Sequence, residues 1–231
     1  MIPSGIRINK HLAALGICSR READAYISAG KILVDGVVVN NLGTRIQPGQ
    51  RVELSQAVLD ERSSFRTVLF HKPVGVVSSQ PEKGERPARS FIELEANLVV
   101  CGRLDKDSHG LLVLSENSAI VRQLIGPEST IEKEYVVEFN GYLSEKGLTG
   151  LREGGLLLDG KITKPCSISV LSHNRLKFIL KEGRNRQIRR MLGSVGCSVK
   201  SLCRTRIGRI ELGDLAPGSW AFLPKGVEFD G

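Results

Sequence analysis

The spacing of apolar residues divides the chain into two parts of different texture. Near the start, Ile8, Leu12 and Leu15 recur at i, i+4 and i+7, one face of a short helix that Gly16 would cap. Ser19-Arg20-Arg21-Glu22 has the form of a capping box, which predicts a second helix through Ala23, Tyr26 and Ile27 to Gly30. Ile32-Leu33-Val34 and Val37-Val38-Val39 flank Asp35-Gly36, a strong hairpin signal. A Pro48-Gly49 turn leads into a last strand over 51–54. Residues 56–64 are polar and without periodicity, which predicts a linker between a small unit, 1–55, and a larger one, 65–231.

The second unit shows many short apolar runs. Strands are predicted at 67–70, 97–101, 111–114, 135–139, 166–171 and 176–180, with helices over 116–125 and 185–195. At 231 residues, 41% hydrophobic and 25% charged, the chain is neither disordered nor fibrous. No apolar run approaches the roughly 18 residues of a membrane span. Met1–Lys10 has no signal-peptide core, so a soluble protein is expected. Cys18, Cys101, Cys166, Cys197 and Cys203 form no CxxC pair, which reads as reduced thiols in a cytoplasmic setting without zinc. A zinc-dependent base deaminase is excluded with it.

Charge narrows the partners. The formal net charge is +8, and residues 181–209 alone hold nine Lys and Arg against the single acid Glu182. Such a concentration points to a polyanion, with arginine forks suited to phosphate; the alternative is a set of cations balanced by acids elsewhere in space. In the first unit Arg7, Lys10, Arg20, Arg21 and Lys31 fall near predicted helix ends, where side-chain charge and free N–H groups bind phosphate together.

Four segments of the second unit carry the candidate chemistry. They are His71-Lys72-Pro73-Val74-Gly75, then Gly102-Arg103-Leu104-Asp105-Lys106-Asp107-Ser108-His109-Gly110-Leu111, then Glu132-Lys133-Glu134-Tyr135, and last Gly183-Arg184-Asn185-Arg186-Gln187-Ile188-Arg189-Arg190-Met191. Singly each has a plain reading: turn-forming aspartates, a core tyrosine, a basic helix face. His109 has no nucleophile elbow and no second histidine close in sequence, so neither a triad nor a metal site follows.

Together and in this order, the segments resemble the pseudouridine synthases of the RsuA/RluB/RluE/RluF family, and within it the RluF type, from about Ile6 to about Glu211. The opening R-I-N-K, G-I-C-S-R-R-E-A-D and G-K-I-L-V-D-G resemble the small RNA-binding domain shared by a ribosomal protein, tyrosyl-tRNA synthetases and several RNA-modifying enzymes. His71 departs from the usual Asn before K-P-x-G, and Ser108 from the commoner Thr.

The resemblance implies an α+β fold, with a mixed, mainly antiparallel sheet and an active cleft across its middle. It implies conversion of a uridine in large-subunit ribosomal RNA, with transfer RNA as a second substrate class. The implied catalytic set is Asp105 acting on the nucleoside, Tyr135 stacking on the base and assisting its proton transfer, and Arg189 pairing with Asp105. Arg103, Asn185, Gln187 and Arg190 are the implied substrate contacts, Leu202 the pocket floor, and Arg184 and Arg186 further RNA contacts. The implied protein is a monomer acting on RNA, without DNA, membrane, metal or cofactor.

Isomerisation conserves atoms and oxidation state, and the chain has neither a P-loop nor a Rossmann glycine fingerprint. Whether Asp105 attacks C1′, attacks the ring or promotes a glycal stays open. Two other classes compete: a non-catalytic RNA-binding factor, and a methyltransferase, for which Gly154-Gly155 offers no nucleotide-binding loop.

Overall fold

The computed structural model describes residues 5–230. In the first part, β1 (Ile6–Arg7) leads into α1 (Ile8–Ala14) and α2 (Arg20–Ser28), followed by β2 (Ile32–Val34), β3 (Val37–Val39), β4 (Arg45–Ile46) and β5 (Val52–Leu54). The capping box forms: the Ser19 side chain accepts from the Glu22 amide, and the Glu22 carboxylate accepts from the Ser19 amide. Asp35 and Gly36 both take positive φ, as a two-residue turn of this hairpin requires. Ile8, Leu12, Ala23, Ile27 and Ile32 close a small core. Leu15, expected on the buried face, is exposed because α1 ends at Ala14.

The expected linker is a helix. α3 (Gln56–Ser63) inserts Val58 into the same core. Its residues are mostly good helix formers, and one buried anchor leaves no period to read.

The second part begins with β6 (Thr67–Lys72), a 3-10 turn at Ala88–Phe91, β7 (Val99–Val100), β8 (His109–Ser115) and α4 (Ser118–Ile125). It continues with β9 (Lys133–Asn140), α5 (Glu145–Glu153), the hairpin β10 (Leu157–Leu158) and β11 (Lys161–Ile162), β12 (Ser167–Ser172) and β13 (Arg175–Leu180). It ends with α6 (Gln187–Ser194), β14 (Ser198–Ile207), β15 (Ile210–Glu211) and β16 (Trp220–Phe222). A nine-stranded sheet runs in the order β12-β13-β9-β14-β8-β6-β16, with β15 on β14 and β7 on β8. All its pairs are antiparallel except β14–β8. This is the expected α+β fold.

β8 is buried on both faces, as a continuous apolar run suggests. Leu111 and Val113 pack with Leu124 of α4, whereas Leu112 and Leu114 pack with Phe70 and Ala88. Beneath α5 and α6, Val137, Phe178, Met191 and Leu202 form the largest core. Register places Phe178, Tyr135, Arg204, Gly110 and Lys72 in one row across the sheet.

Sequence patterning missed β14, the strand between β9 and β8. Its alternation is broken by register shifts at Val199/Ser201 and Arg204/Arg206, and its arginines read as surface. At the parallel contact Gly110 has φ 109, and a Cβ there would stand 2.3 Å from the Arg204 carbonyl oxygen. Gly110→Ala is therefore expected to lower the unfolding midpoint sharply. Gly150→Ala, inside α5 with nothing within 4 Å, should raise stability by ~0.5–1 kcal/mol in the same denaturant titration.

Candidate active site

Residues 102–108 connect β7 to β8 without regular structure, and contacts from outside fix them. The Arg204 guanidinium donates to the Gly102 carbonyl at 3.0 Å and to that of Leu111 at 2.7 Å. The Ser78 hydroxyl donates to the Leu104 carbonyl at 2.7 Å and accepts from the Leu104 amide at 2.8 Å. The Gly75 amide, at the end of the K-P-x-G turn, donates to the Lys106 carbonyl at 2.8 Å. Lys72, fully buried, holds that turn by donating to the Pro73 and Val76 carbonyls. Burial pushes the Lys72 ammonium down to about 8 against the opposing pull of Asp105 and Asp107.

The basic segment closes the loop from the other side. Arg186 forks onto Asp107, with N–O distances of 3.2 and 3.0 Å. Arg189 donates to the Asp107 carbonyl at 2.9 Å and to the Ser108 hydroxyl at 3.1 Å. Arg186 is the α6 N-cap in a left-handed conformation, φ 50, a state that costs a non-glycine residue ~1–2 kcal/mol. Its double bond to Asp107 opposes that cost. Burial raises the Asp107 carboxyl, but the Arg186 hydrogen bond and the charges of Arg189 and Arg186 outweigh it and leave it below its ordinary value.

Asp105 differs from its neighbours. Among the described residues its carboxylate accepts no hydrogen bond; its ion-pair partner is Arg186 at 3.6 Å, and 29% of the side chain is open. The expected Arg189–Asp105 pair is absent, because Arg189 is committed to Asp107 and Ser108. Tyr135 lies half-buried on β9 between Phe178 and Arg204, packed against the core beneath α5 and α6. Leu202, two residues before Arg204, is buried in that core.

Several expected substrate or RNA contacts have structural work instead. Arg184 donates to the carbonyls of Leu158, Lys161 and Ile162 and pairs with Glu182. Gln187 is buried, donating to Glu182 and accepting from the Arg184 amide. Arg190 donates through one guanidinium nitrogen to both carboxylate oxygens of Asp159, and Arg206 pairs with Glu132 and Glu134. Much of the positive charge over 181–209 is thus balanced by acids and carbonyls, which the net charge concealed. Lys31 is paired with Glu61 at 3.4 Å. Arg7, Lys10, Arg20, Arg21, Arg103 and Asn185 are exposed. Sequence reasoning overlooked Lys72, Ser78 and Arg204 as supports; Lys72, in K-P-x-G, carried a visible signal, whereas Ser78 carried none.

The description "RNA pseudouridylate synthase" matches residues 66–194, and that of an S4 domain matches residues 6–52. The chain belongs to the RNA pseudouridylate synthase family, isomerases that turn uridine into pseudouridine. It is 36% identical over 227 residues to the dual-specificity RNA pseudouridine synthase RluF of Escherichia coli K12, covering 96% of this chain and 77% of that one. It is 34% identical over 229 residues to an uncharacterized RNA pseudouridine synthase of Mycobacterium bovis, covering 94% and 89%. A crystal structure of a pseudouridylate synthase shares the fold at 23% identity, with a TM-score of 0.69 over 96% of this chain and 97% of that chain.

The lowered Asp107 carboxyl sets a pH dependence. A depressed carboxylate gives stability that is full above its unfolded value, about 4, and lost as pH falls through the lower folded value. Unfolding titrations should therefore show wild type more stable than Asp107→Asn at neutral pH, with the difference vanishing on acidification below about 4.

Proposed function

We propose that this isomerase acts on a uridine of large-subunit ribosomal RNA, with Asp105 as the group that attacks or polarises the nucleoside. One observation carries the assignment: on a loop held at Gly102, Leu104, Lys106, Asp107 and Ser108, the carboxylate left without a hydrogen bond among the described residues is that of Asp105. A pinned backbone with one carboxylate not committed to a hydrogen bond suits chemistry in which the base moves and the carboxylate stays. In this reading Tyr135 stacks on the detached ring and assists removal of the C5 proton. Arg186 shields and orients Asp105 in place of Arg189, whose part is to hold the loop.

A uridine in folded RNA must be unstacked before it reaches Asp105, at a cost of a few kcal/mol. Arg7, Lys10, Arg20 and Arg21, exposed on the first unit, 1–55, supply phosphate contacts toward that cost; the unit 65–231 supplies the chemistry. The dual-specificity name of the Escherichia coli relative supports a second RNA substrate; we take transfer RNA as that class. The reaction changes no oxidation state and takes no cofactor in this reading. Free thiols at Cys18, Cys101, Cys166, Cys197 and Cys203 fit the reducing setting of a cytoplasm, where in this reading the protein works as a monomer.

The test is tritium release from unmodified ribosomal and transfer RNA labelled at uridine C5, with no cofactor added. Wild type should release tritium, and Asp105→Asn should bind the RNA equally well and release none. Turnover by Asp105→Asn would remove Asp105 from the mechanism.

A further inference from the structure

The segment that holds the catalytic loop also holds a second object. Its arginines divide between two targets: Arg186 and Arg189 reach the 102–108 loop, whereas Arg184 and Arg190 reach the β10–β11 hairpin. Arg184 donates to three hairpin carbonyls, those of Leu158, Lys161 and Ile162, and one nitrogen of Arg190 donates to both carboxylate oxygens of Asp159 in the turn, at 3.0 and 2.9 Å. Thr163 is buried at the base, where its hydroxyl accepts from the Leu156 amide. A two-stranded hairpin of this size is marginal alone. This one is fixed to the same seven-residue stretch that fixes Asp105, so it stands beside the site.

What it presents is unusual for so firmly anchored an element. Leu157 and Ile162 face each other across the two strands, and they are 65% and 64% exposed. Lys161 and Lys164 are exposed, and no ion pair engages their side chains among the described residues. The hairpin's acid, Asp159, is neutralised by Arg190. An apolar pair flanked by free ammonium groups complements a nucleotide: a flat face that gains by leaving water, beside a phosphate.

We propose that the β10–β11 hairpin is a second RNA-contact element, packing Leu157 and Ile162 against an unstacked base or sugar next to the target uridine while Lys161 and Lys164 meet flanking phosphates. The proposal rests on the RNA substrate of the preceding section. It adds a specificity surface on the catalytic unit itself, formed by residues that make no contact with Asp105. An aliphatic pair could instead serve the hairpin alone, since cross-strand pairs contribute ~0.2–1 kcal/mol. That role predicts a lower melting temperature on substitution and unchanged RNA affinity.

The experiment compares wild type, Leu157→Ser/Ile162→Ser and Lys161→Gln/Lys164→Gln. It measures Kd for an unmodified large-subunit ribosomal RNA fragment at several salt concentrations, thermal midpoint, and tritium release at C5. The serine variant should keep its midpoint and bind about tenfold more weakly, with a raised KM and little change in kcat. The glutamine variant should lower the salt slope by about the two contacts removed. Unchanged Kd in the serine variant overturns the proposal, and a lowered midpoint beside it assigns the apolar pair to the hairpin's own stability. If wild type binds but releases no tritium while the serine variant still loses affinity, the substrate reading fails and the hairpin contact stands.

Discussion

The parallel contact between β8 and β14 is the constraint on which the site depends. Elsewhere the sheet is antiparallel, and neighbouring strands there could be joined by short turns. At this pair Gly110 lies against the backbone of Arg204 with no room for a side chain, and the two strands draw together. Arg204 can then reach past β8 to the Gly102 carbonyl, where the loop begins. The row Tyr135–Arg204–Gly110–Lys72 follows from that contact, and so does the position of Asp105 relative to the sheet.

Around the site, arginine serves as a backbone ligand. A guanidinium offers several fixed N–H groups and stays charged, so it satisfies carbonyls that no strand reaches. Arg204 does this for Gly102 and Leu111, Arg184 for the hairpin, and Arg189 for Asp107. Irregular segments with little apolar content of their own are thereby held at defined positions. The positive surface that 181–209 offers to RNA is correspondingly smaller than its formal charge suggests.

Local signals were legible in the sequence wherever a structure is decided by neighbours along the chain. The Ser19–Glu22 box, the Asp35-Gly36 turn and the run into β8 need no distant partner, and all three form as read. The motif G-R-L-D likewise marked the loop and its aspartate. What stayed hidden was settled across the fold. β14 looked like a charged surface because its arginines find carbonyls and acids from four other segments. α3 showed no period because a single residue, Val58, anchors it. The partner of Asp105 depended on a left-handed residue, Arg186, whose direction no spacing rule encodes.

The Arg204–Leu111 bond joins positions 93 residues apart. Closing a loop of that length carries an entropic cost that grows with the logarithm of its span, and contacts of this kind form late in folding. During synthesis the loop bearing Asp105 emerges well before the strand that fixes it. For that interval the carboxylate belongs to a mobile segment, and only when β14 slides between β9 and β8 does the chain acquire an enzyme's geometry. On the role proposed for Asp105, catalytic competence is thus coupled to completion of the central sheet, so that a partly made chain can carry every motif of the first three segments and still hold no site.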